Sequence, residues 1–313
     1  MIRELDTQAW VDVLLALERP NLQNILVYYE HRIGAFCRNP QLMLVPLDDH
    51  LVHRGDGAFE GLRMSQRRIL QLDAHLRRLK ESVMVLKLEP PCSWDEMRDI
   101  MLEVAKAADV DEGGLKLLLG RGGGGLGVDP AECPKASLYI VASRAKVLPA
   151  SYWEKGLTAC RSTVPPKQPY LARIKSTNYL PNAMMAQEAR QRGVDLTFSF
   201  DPTGNLAEAA IANVGIVDQQ GRLLFPHFEY ALPGTTALLA MEVAKAFIPV
   251  ELAEMPEDTL LLAKEILVFG TTPECVGVVR YEGHEIGDGK PGPIALELRQ
   301  RLHAALIAGG TVY

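Results

Sequence analysis

A single lysine stands directly before a helix whose two ends are both marked in the sequence. Residues 174–182 read IKSTNYLPN. Asn178 suits a helix N-cap, Pro181 suits the first turn, and Gly193 suits the end of the helix. An amine at the positive end of a helix dipole, beside apolar neighbours, loses preference for its charged form and becomes nucleophilic near neutral pH. The pattern predicts a helix ending at Gly193 and a reactive Lys175, with an ordinary surface lysine as the alternative.

The composition describes a chain that can bury a large core. It has 313 residues, 48% of them hydrophobic, and a formal net charge of −6. No basic block stands out, so we expect no nucleic-acid partner held by phosphate contacts. The five cysteines are scattered without a CxxC pair, which indicates neither a disulfide framework nor a metal site and favours a reducing cytoplasm. No run of about 18 apolar residues occurs, which excludes an ordinary membrane-spanning helix.

The first half of the chain alternates strand and helix patterns. Residues 1–20 carry acidic residues within an amphipathic pattern, typical of a helix and not of a signal peptide. We predict strands within 24–36, 41–49, 114–119 and 137–143, and helices that begin at Asp73 and at the capping box SWDE, residues 93–96. Residues 145–151, AKVLPAS, are typical of a linker. They divide the chain into a smaller α/β domain at 1–144 and a larger domain at 152–313.

A glycine-rich loop follows the third of these strands. Residues 120–127 read GRGGGGLG, which formally contains GxGxxG. A dinucleotide-binding fold needs a helix to begin at once, but Pro130 and Pro134 forbid that helix. We therefore exclude this fold and expect either a plain surface connection or a lid beside a site.

In the second half of the chain, isolated polar residues stand within or beside apolar strand patterns. Glu208 lies among alanines, and a buried carboxylate there needs a partner. LPGTT, residues 232–236, precedes an apolar helix and predicts an anion site at the helix N-terminus, with a simple threonine cap as the alternative. A second glycine-threonine turn, Gly270 to Thr272, ends a later strand. A last amphipathic helix is expected from Pro293 to Ala308.

These motifs resemble those of a known family in their order and in their neighbours. They are Arg78 in HLRRL, Lys175 in IKSTNYL, Glu208 in LAEAAIANV, Thr235-Thr236 in LPGTT and Thr271-Thr272 in FGTTPE. The chain resembles the class IV aminotransferases, pyridoxal-phosphate enzymes of fold type IV. These include branched-chain amino acid aminotransferases, D-amino acid aminotransferases and aminodeoxychorismate lyases.

The resemblance implies a two-domain α/β (α+β) fold that binds pyridoxal 5′-phosphate at the domain interface, and a homodimer. It implies that Lys175 forms the Schiff base with the cofactor and moves the substrate proton, while Glu208 pairs with the pyridine nitrogen. The remaining implied roles are phosphate binding by Arg78, Thr235, Thr236 and Thr271, hydrogen bonding to the phenolic oxygen of the ring by Tyr179, and substrate-carboxylate binding by the backbone at Thr272 and Pro273. Asn213 matches the family asparagine that follows the glutamate.

Several positions bear on the substrate, which would be an amino acid paired with a 2-oxo acid. HRGDGAFEGLR and GDGKPGP favour a branched-chain or similar apolar L-amino acid, although no YxRP segment occurs. Leu126 and Val128 stand where D-amino acid aminotransferases carry arginine and histidine, and Val52 stands where they carry tyrosine. A D-amino acid transaminase-like enzyme and a lyase that releases pyruvate from aminodeoxychorismate are the alternatives. A non-catalytic binder of phosphate ligands is a distant one, because phosphate binding needs neither Lys175 nor Glu208.

Overall fold

The computed structural model describes residues 2–146 and 148–313, which form two compact units. The first unit contains residues 2–69, 86–145 and 312–313, and the second contains the remaining described residues. Met1, within the predicted N-terminal helix, and Val147, within the predicted linker, lie outside the described residues. The grouping differs from the continuous first domain expected at 1–144, because residues 70–85 belong to the second unit. The helix in that segment has a buried polar face, described below, whose partners lie in the second unit.

An antiparallel sheet forms the centre of the first unit. Its pairs include Phe59 with Leu118 and Leu117 with Ile140. The strands are β1 (Ile25–Glu30), β2 (Ala35–Cys37), β3 (Gly57–Ser65), β4 (Arg68–Ile69), β5 (Gly113–Gly120), β6 (Ser137–Arg144) and β16 (Thr311–Val312). Within the described residues, the order across the sheet is β16, β4, β3, β5, β6, β1, β2.

Three helices accompany this sheet in the first unit as described: α1 (Thr7–Ala16), α2 (His50–His53) and α4 (Trp94–Ala108). α4 packs on β1 and β6 through buried apolar side chains that include Met97 and Met101. Its N-cap is Ser93, whose hydroxyl accepts from the N–H of Glu96, as the capping box predicts. The strand predicted within 41–49 is wrong: a short 3₁₀ turn occupies Pro40–Leu42 and no strand follows it up to Asp49. Pro46 within this stretch and Pro40 directly before it lack the backbone donors that a ladder would need.

The glycine-rich loop after β5 is packed closely against the backbone that follows it. Gly122 has φ +97°, and a Cβ there would lie 1.8 Å from the carbonyl oxygen of Lys135. The next regular element is a 3₁₀ turn at Pro130–Glu132 and not an α-helix, in agreement with the excluded dinucleotide fold. Arg121 pairs with Asp56, at 2.9 and 3.1 Å, and also donates to the carbonyls of Leu86 and Lys87. This arginine is therefore engaged within the first unit.

A second, larger sheet forms the centre of the second unit. The strands are β7 (Leu157–Arg161), β8 (Leu196–Phe200), β9 (Leu206–Ala209), β10 (Asn213–Val217), β11 (Leu223–Pro226), β12 (Val250–Ala253), β13 (Glu265–Gly270), β14 (Glu274–Tyr281) and β15 (His284–Glu285). In the described part of the chain the order is β12, β11, β10, β13, β14, β7, β8, β9, and β15 pairs with β14 outside this path. The apolar strands expected in the second half of the chain are thus present.

Apolar side chains cover this sheet in two clusters. One cluster contains Phe198 and Tyr281, whose rings stack with centroids 5.7 Å apart. The other joins Phe225 and Phe269 to apolar side chains of two helices, among them Leu298. Because both faces of these strands are buried, their sequences are nearly continuous apolar runs.

The helices of the second unit, within residues 70–146 and 148–311, are α3 (Leu72–Val85), α5 (Ser151–Glu154), α6 (Pro169–Ala172), α7 (Leu180–Arg192), α8 (Thr235–Ala244), α9 (Glu257–Leu261) and α10 (Pro293–Ala308). α7 ends at Gly193 with φ +69°, as predicted, because glycine adopts this conformation without strain. Its N-cap is Tyr179, one residue later than the predicted Asn178. Asp73 lies in the first turn of α3 and is not its cap. The predicted bounds of α10 are confirmed.

Among the residues that the structure describes, no helix combines the length and apolar character that crossing a bilayer requires.

Candidate active site

A pocket open to solvent gathers most of the polar residues singled out in the sequence. All of its lining residues belong to the second unit. They include Arg78, Lys175, Tyr179, Glu208, Asn213, Thr235, Thr236 and Thr271. The placement of a cofactor between two domains stays a prediction.

Lys175 precedes α7 and points its amine at the hydroxyl of Tyr179. The Lys175 Nζ donates to the Tyr179 hydroxyl at 2.9 Å. The backbone N–H of Lys175 donates to the hydroxyl of Ser82 on α3 at 3.0 Å, and that hydroxyl donates to the carbonyl of Arg78 at 2.9 Å. The lysine is therefore fixed at its backbone by α3 and at its amine by Tyr179.

A second lysine packs against the same tyrosine. The Lys167 Nζ lies 4.6 Å from the ring centroid of Tyr179, within the range of a cation–π contact. Burial lowers the pKa of Lys167, and the negative charge of Glu208 opposes that change. Sequence analysis missed this residue because one lysine in a proline-containing segment carries no distinguishing pattern.

The buried face of α3 is polar where it meets the pocket. His75, Arg78 and Ser82 are all buried, at 1%, 7% and 1% exposure. Arg78 contacts the Nδ1 of His75 at 3.3 Å, and the Nε2 of His75 lies 3.3 Å from the hydroxyl of Thr235. Gln71, just before the helix, donates to the carbonyl of Thr235 at 3.1 Å. Arg78 was expected at this place, whereas Gln71, His75 and Ser82 were not. The spacing of His75, Arg78 and Ser82 by three and four residues nevertheless puts these three on one helix face.

The N-terminus of α8 lines the pocket next to α3. Gly234 is the N-cap and offers no side chain to the first amides, so the threonine cap considered as the alternative is absent at this position. Thr235 and Thr236, both buried, occupy the first turn. A Cβ on Gly234 would lie 2.0 Å from the Oδ1 of Asn213, so a larger residue would displace that side chain or the turn. The uncapped amides and the helix dipole favour an anion at this position.

Glu208 on β9 is tied to the segment that leads into α8. Its Oε2 accepts from the backbone N–H of Leu232 at 3.0 Å, while the Nδ2 of Asn213 donates to the carbonyl of Leu232 at 2.8 Å. Burial raises the pKa of Glu208 to about 7, opposed by the Leu232 N–H and by the charges of Lys167, Lys175 and Arg78. A carboxylate with this pKa can share a proton with a weakly basic nitrogen near neutral pH.

The second glycine-threonine turn borders the pocket only through its first residues. Gly270 and Thr271 line the pocket, whereas Thr272 is exposed and Pro273 lies beyond the lining within the described chain. The carbonyl of Pro273 accepts a 3.0 Å hydrogen bond from the indole N–H of Trp153 on α5. Glu274 follows with φ +61°, a conformation that non-glycine residues adopt rarely and that accumulates at functional sites.

The residues present fit pyridoxal 5′-phosphate. A helix N-terminus without a side-chain cap, two threonines and a buried arginine suit a dianionic phosphate. In the same pocket lining, Lys175 offers an amine and Glu208 a carboxylate that can hold a proton on a ring nitrogen. The buried Oδ1 of Asn182, which also lines the pocket, has no hydrogen-bond partner among the described residues. A bound molecule with a donor or a water could satisfy this oxygen.

Comparison with known proteins identifies the family of the chain. The family model of amino-transferase class IV matches residues 57–281. The chain is 30% identical over 264 residues to a putative branched-chain-amino-acid aminotransferase of Methanocaldococcus jannaschii, covering 82% of this chain and 89% of that protein. It is 28% identical over 285 residues to the chloroplastic D-amino-acid transaminase of Arabidopsis thaliana, covering 88% and 75%.

Solved structures show the same fold. A branched-chain amino acid aminotransferase of T.th., solved with pyridoxamine 5′-phosphate, superposes with a TM-score of 0.85 at 25% identity, covering 91% of this chain and 95% of that one. The protein therefore belongs to the class IV aminotransferases, enzymes of fold type IV that depend on pyridoxal 5′-phosphate.

Proposed function

We propose that this protein moves the amino group of a branched-chain or similar apolar L-amino acid onto a 2-oxo acid. The observation that carries the proposal is the charge distribution of the pocket. The charged side chains among its lining residues are Arg78, Lys175 and Glu208, and each matches one part of pyridoxal phosphate. Three apolar lining residues follow Glu208 in the chain, Ala210, Ile211 and Ala212, and Ile211 is 75% exposed. An apolar substrate side chain loses less on leaving water for such walls than a charged one does.

The bound cofactor supplies an electron sink for charge that develops on the substrate α-carbon. The protein residues hold and move the protons. Arg78 and the first turn of α8 bind the phosphate, and Thr271 lies at the edge of the same pocket. Glu208 holds a proton on the pyridine nitrogen. Because the pKa of Glu208 is raised, the carboxylate and the ring nitrogen can share that proton.

Lys175 acts as the base at the substrate α-carbon. Its Nζ is within 2.9 Å of the Tyr179 hydroxyl, so the amine has a defined position when it is not bonded to the cofactor. The Tyr179 hydroxyl also serves as the hydrogen-bond partner of the phenolic oxygen of the cofactor. The backbone at Thr272 and Pro273 is proposed for the substrate carboxylate, and the bond from Trp153 supports the shape of that turn.

A D-amino acid is the second candidate substrate. The Arabidopsis thaliana relative named as a D-amino-acid transaminase aligns with 88% of this chain, which is the observation that favours it. Leu126 and Val128 argue against a carboxylate site of the D-specific kind in the glycine-rich loop, since both are apolar and exposed, at 68% and 77%. The pyruvate-releasing lyase remains a third candidate. The homodimer, the cytoplasmic location and the domain bounds at 1–144 and 152–313 stay predictions.

The test is a half-reaction followed by cofactor absorbance. The protein loaded with pyridoxal phosphate is mixed separately with L-leucine, D-alanine and aminodeoxychorismate, without a 2-oxo acid. We expect L-leucine to convert the cofactor band to that of pyridoxamine phosphate, and D-alanine to leave it unchanged. Conversion by D-alanine alone would replace the proposal by the second candidate. Pyruvate release from aminodeoxychorismate with the band retained would indicate the lyase.

A further inference from the structure

We infer that His75 is a positioning residue that directs the hydroxyl hydrogen of Thr235 toward the phosphate of the cofactor. The inference rests on the proposed function in one respect, that the anion at α8 is the cofactor phosphate. His75 itself is 1% exposed and lines no part of the pocket. It acts through Thr235.

The direction of the hydrogen bonds follows from the chemistry of the three side chains. A guanidinium can only donate, so the Nδ1 of His75, 3.3 Å from an Arg78 nitrogen, must accept. A neutral imidazole that accepts at Nδ1 carries its hydrogen on Nε2. The Nε2 therefore donates to the oxygen of Thr235, 3.3 Å away. The contact with Arg78 thus selects the tautomer that makes the threonine oxygen an acceptor.

With its oxygen accepting from His75, the Thr235 hydroxyl donates to none of the residues that the structure describes. Its hydrogen is therefore available to a molecule bound in the pocket. The lone pair that faces His75 is occupied, so the O–H bond turns away from α3. Gln71 holds the carbonyl of the same threonine at 3.1 Å, which limits its movement. Since Thr235 lines the pocket at the N-terminus of α8, its hydroxyl becomes a fixed donor to an anion bound there.

The alternative is that His75 only fills space under α8. The two roles differ in what happens when Thr235 has already lost its hydroxyl. A space-filling histidine matters equally in both backgrounds, whereas a histidine that acts through the hydroxyl has nothing left to orient. A double-mutant cycle therefore separates the two roles.

The experiment measures equilibrium binding of two ligands to the apoenzyme, pyridoxal 5′-phosphate and pyridoxal, for the parent, His75→Leu, Thr235→Val and the double variant. Each single substitution is expected to weaken binding of the phosphorylated ligand about tenfold, the loss that follows from one charge-assisted hydrogen bond. The double variant is expected to bind no more weakly than Thr235→Val. Binding of pyridoxal, which lacks the phosphate, is expected to change less than about twofold in all four proteins.

His75→Gln is the conservative variant, because an amide can accept from Arg78 and donate to Thr235. We expect it to recover most of the affinity. If His75→Leu does not fold, His75→Phe enters the same cycle. Losses that multiply in the double variant, or an equal loss for pyridoxal, would overturn the inference. These readouts need no turnover, so a failed half-reaction with every amino acid would count against the proposed function and leave this result intact.

Discussion

The hydroxyl of Ser82 joins the backbone of Lys175 to the backbone of Arg78. It accepts from the Lys175 N–H at 3.0 Å and donates to the Arg78 carbonyl at 2.9 Å. One buried side chain thus sets the distance between the residue expected to hold the phosphate and the residue expected to react at the other end of the cofactor. α3 comes from the first half of the chain but belongs to the second unit, as Lys175 does.

Ser82→Ala is expected to lower both stability and turnover. The change removes the Ser82 acceptor from the half-buried Lys175 N–H, which costs about 1–2 kcal/mol. Urea unfolding and steady-state kinetics measure the two effects. Ser162→Ala is the matched control, because it also removes a hydroxyl that donates one hydrogen bond, to Glu188. The control should lose comparable stability and keep its kcat. An unchanged kcat in Ser82→Ala would show that the link has no part in positioning Lys175.

Gly234→Ala is expected to weaken cofactor binding by tenfold or more. The added Cβ would lie 2.0 Å from the Oδ1 of Asn213, and relief of such a clash typically costs about 1–3 kcal/mol and moves the first turn of α8. Gly61→Ala is the control, since a Cβ at Gly61 meets nothing within 4 Å. Cofactor titration of both apoenzymes checks the prediction. Parent-like affinity in Gly234→Ala would mean that this turn does not hold the phosphate.

The apoenzyme is expected to lose stability between pH about 4.5 and about 7 because of Glu208. Its folded-state pKa is raised from 4.5 to about 7, so its stabilising contribution is complete below pH 4.5 and is lost as the pH rises through 7. The change amounts to about 3 kcal/mol, at about 1.4 kcal/mol for each pH unit. Glu208→Gln cannot ionise and serves as the reference. Urea unfolding across this range should show the two stability curves diverging, and parallel curves would contradict the raised pKa.

Trp153→Phe is expected to raise the KM for the amino acid about fivefold while cofactor affinity stays unchanged. The substitution keeps an aromatic ring under the guanidinium of Arg299, which lies 4.2 Å above it, but removes the N–H that binds the carbonyl of Pro273. A lost hydrogen bond of about 1 kcal/mol accounts for the size of the effect. Trp10→Phe, on the exposed α1, is the control. A KM equal to that of the parent would show that the turn at Pro273 takes no part in substrate binding.

Local chemistry made part of this fold predictable. The end of α7 at Gly193 and the start of α4 at Ser93 depend on residues within one turn of the helix end, so the sequence shows them directly. The predicted strand at 41–49 failed because apolar composition was weighed above Pro40 and Pro46, which cannot donate to a ladder. Propensity over a few residues does not include the partner strand that a ladder requires.

The candidate site was predictable only in its outline. Arg78, Lys175 and Glu208 stand in motifs that the resemblance identifies, and the structure places all three around one pocket. His75 and Ser82 escaped notice because their partners are 160 and 93 positions away in the chain. A buried polar residue on an amphipathic helix gives no local sign of such a partner. Only the packing of α3 within the second unit shows which groups its buried polar residues contact.

The central claim is that Lys175 is the lysine that bonds to the cofactor. The most direct measurement is reduction of the cofactor-loaded protein with borohydride, followed by proteolysis and mass spectrometry of the labelled peptide. Lys167 is a demanding internal comparison, since it packs on the same Tyr179 ring at 4.6 Å and burial lowers the pKa of its amine. The account predicts a phosphopyridoxyl group on Lys175 and none on Lys167. A label on Lys167, or on any other lysine with Lys175 unmodified, would contradict it.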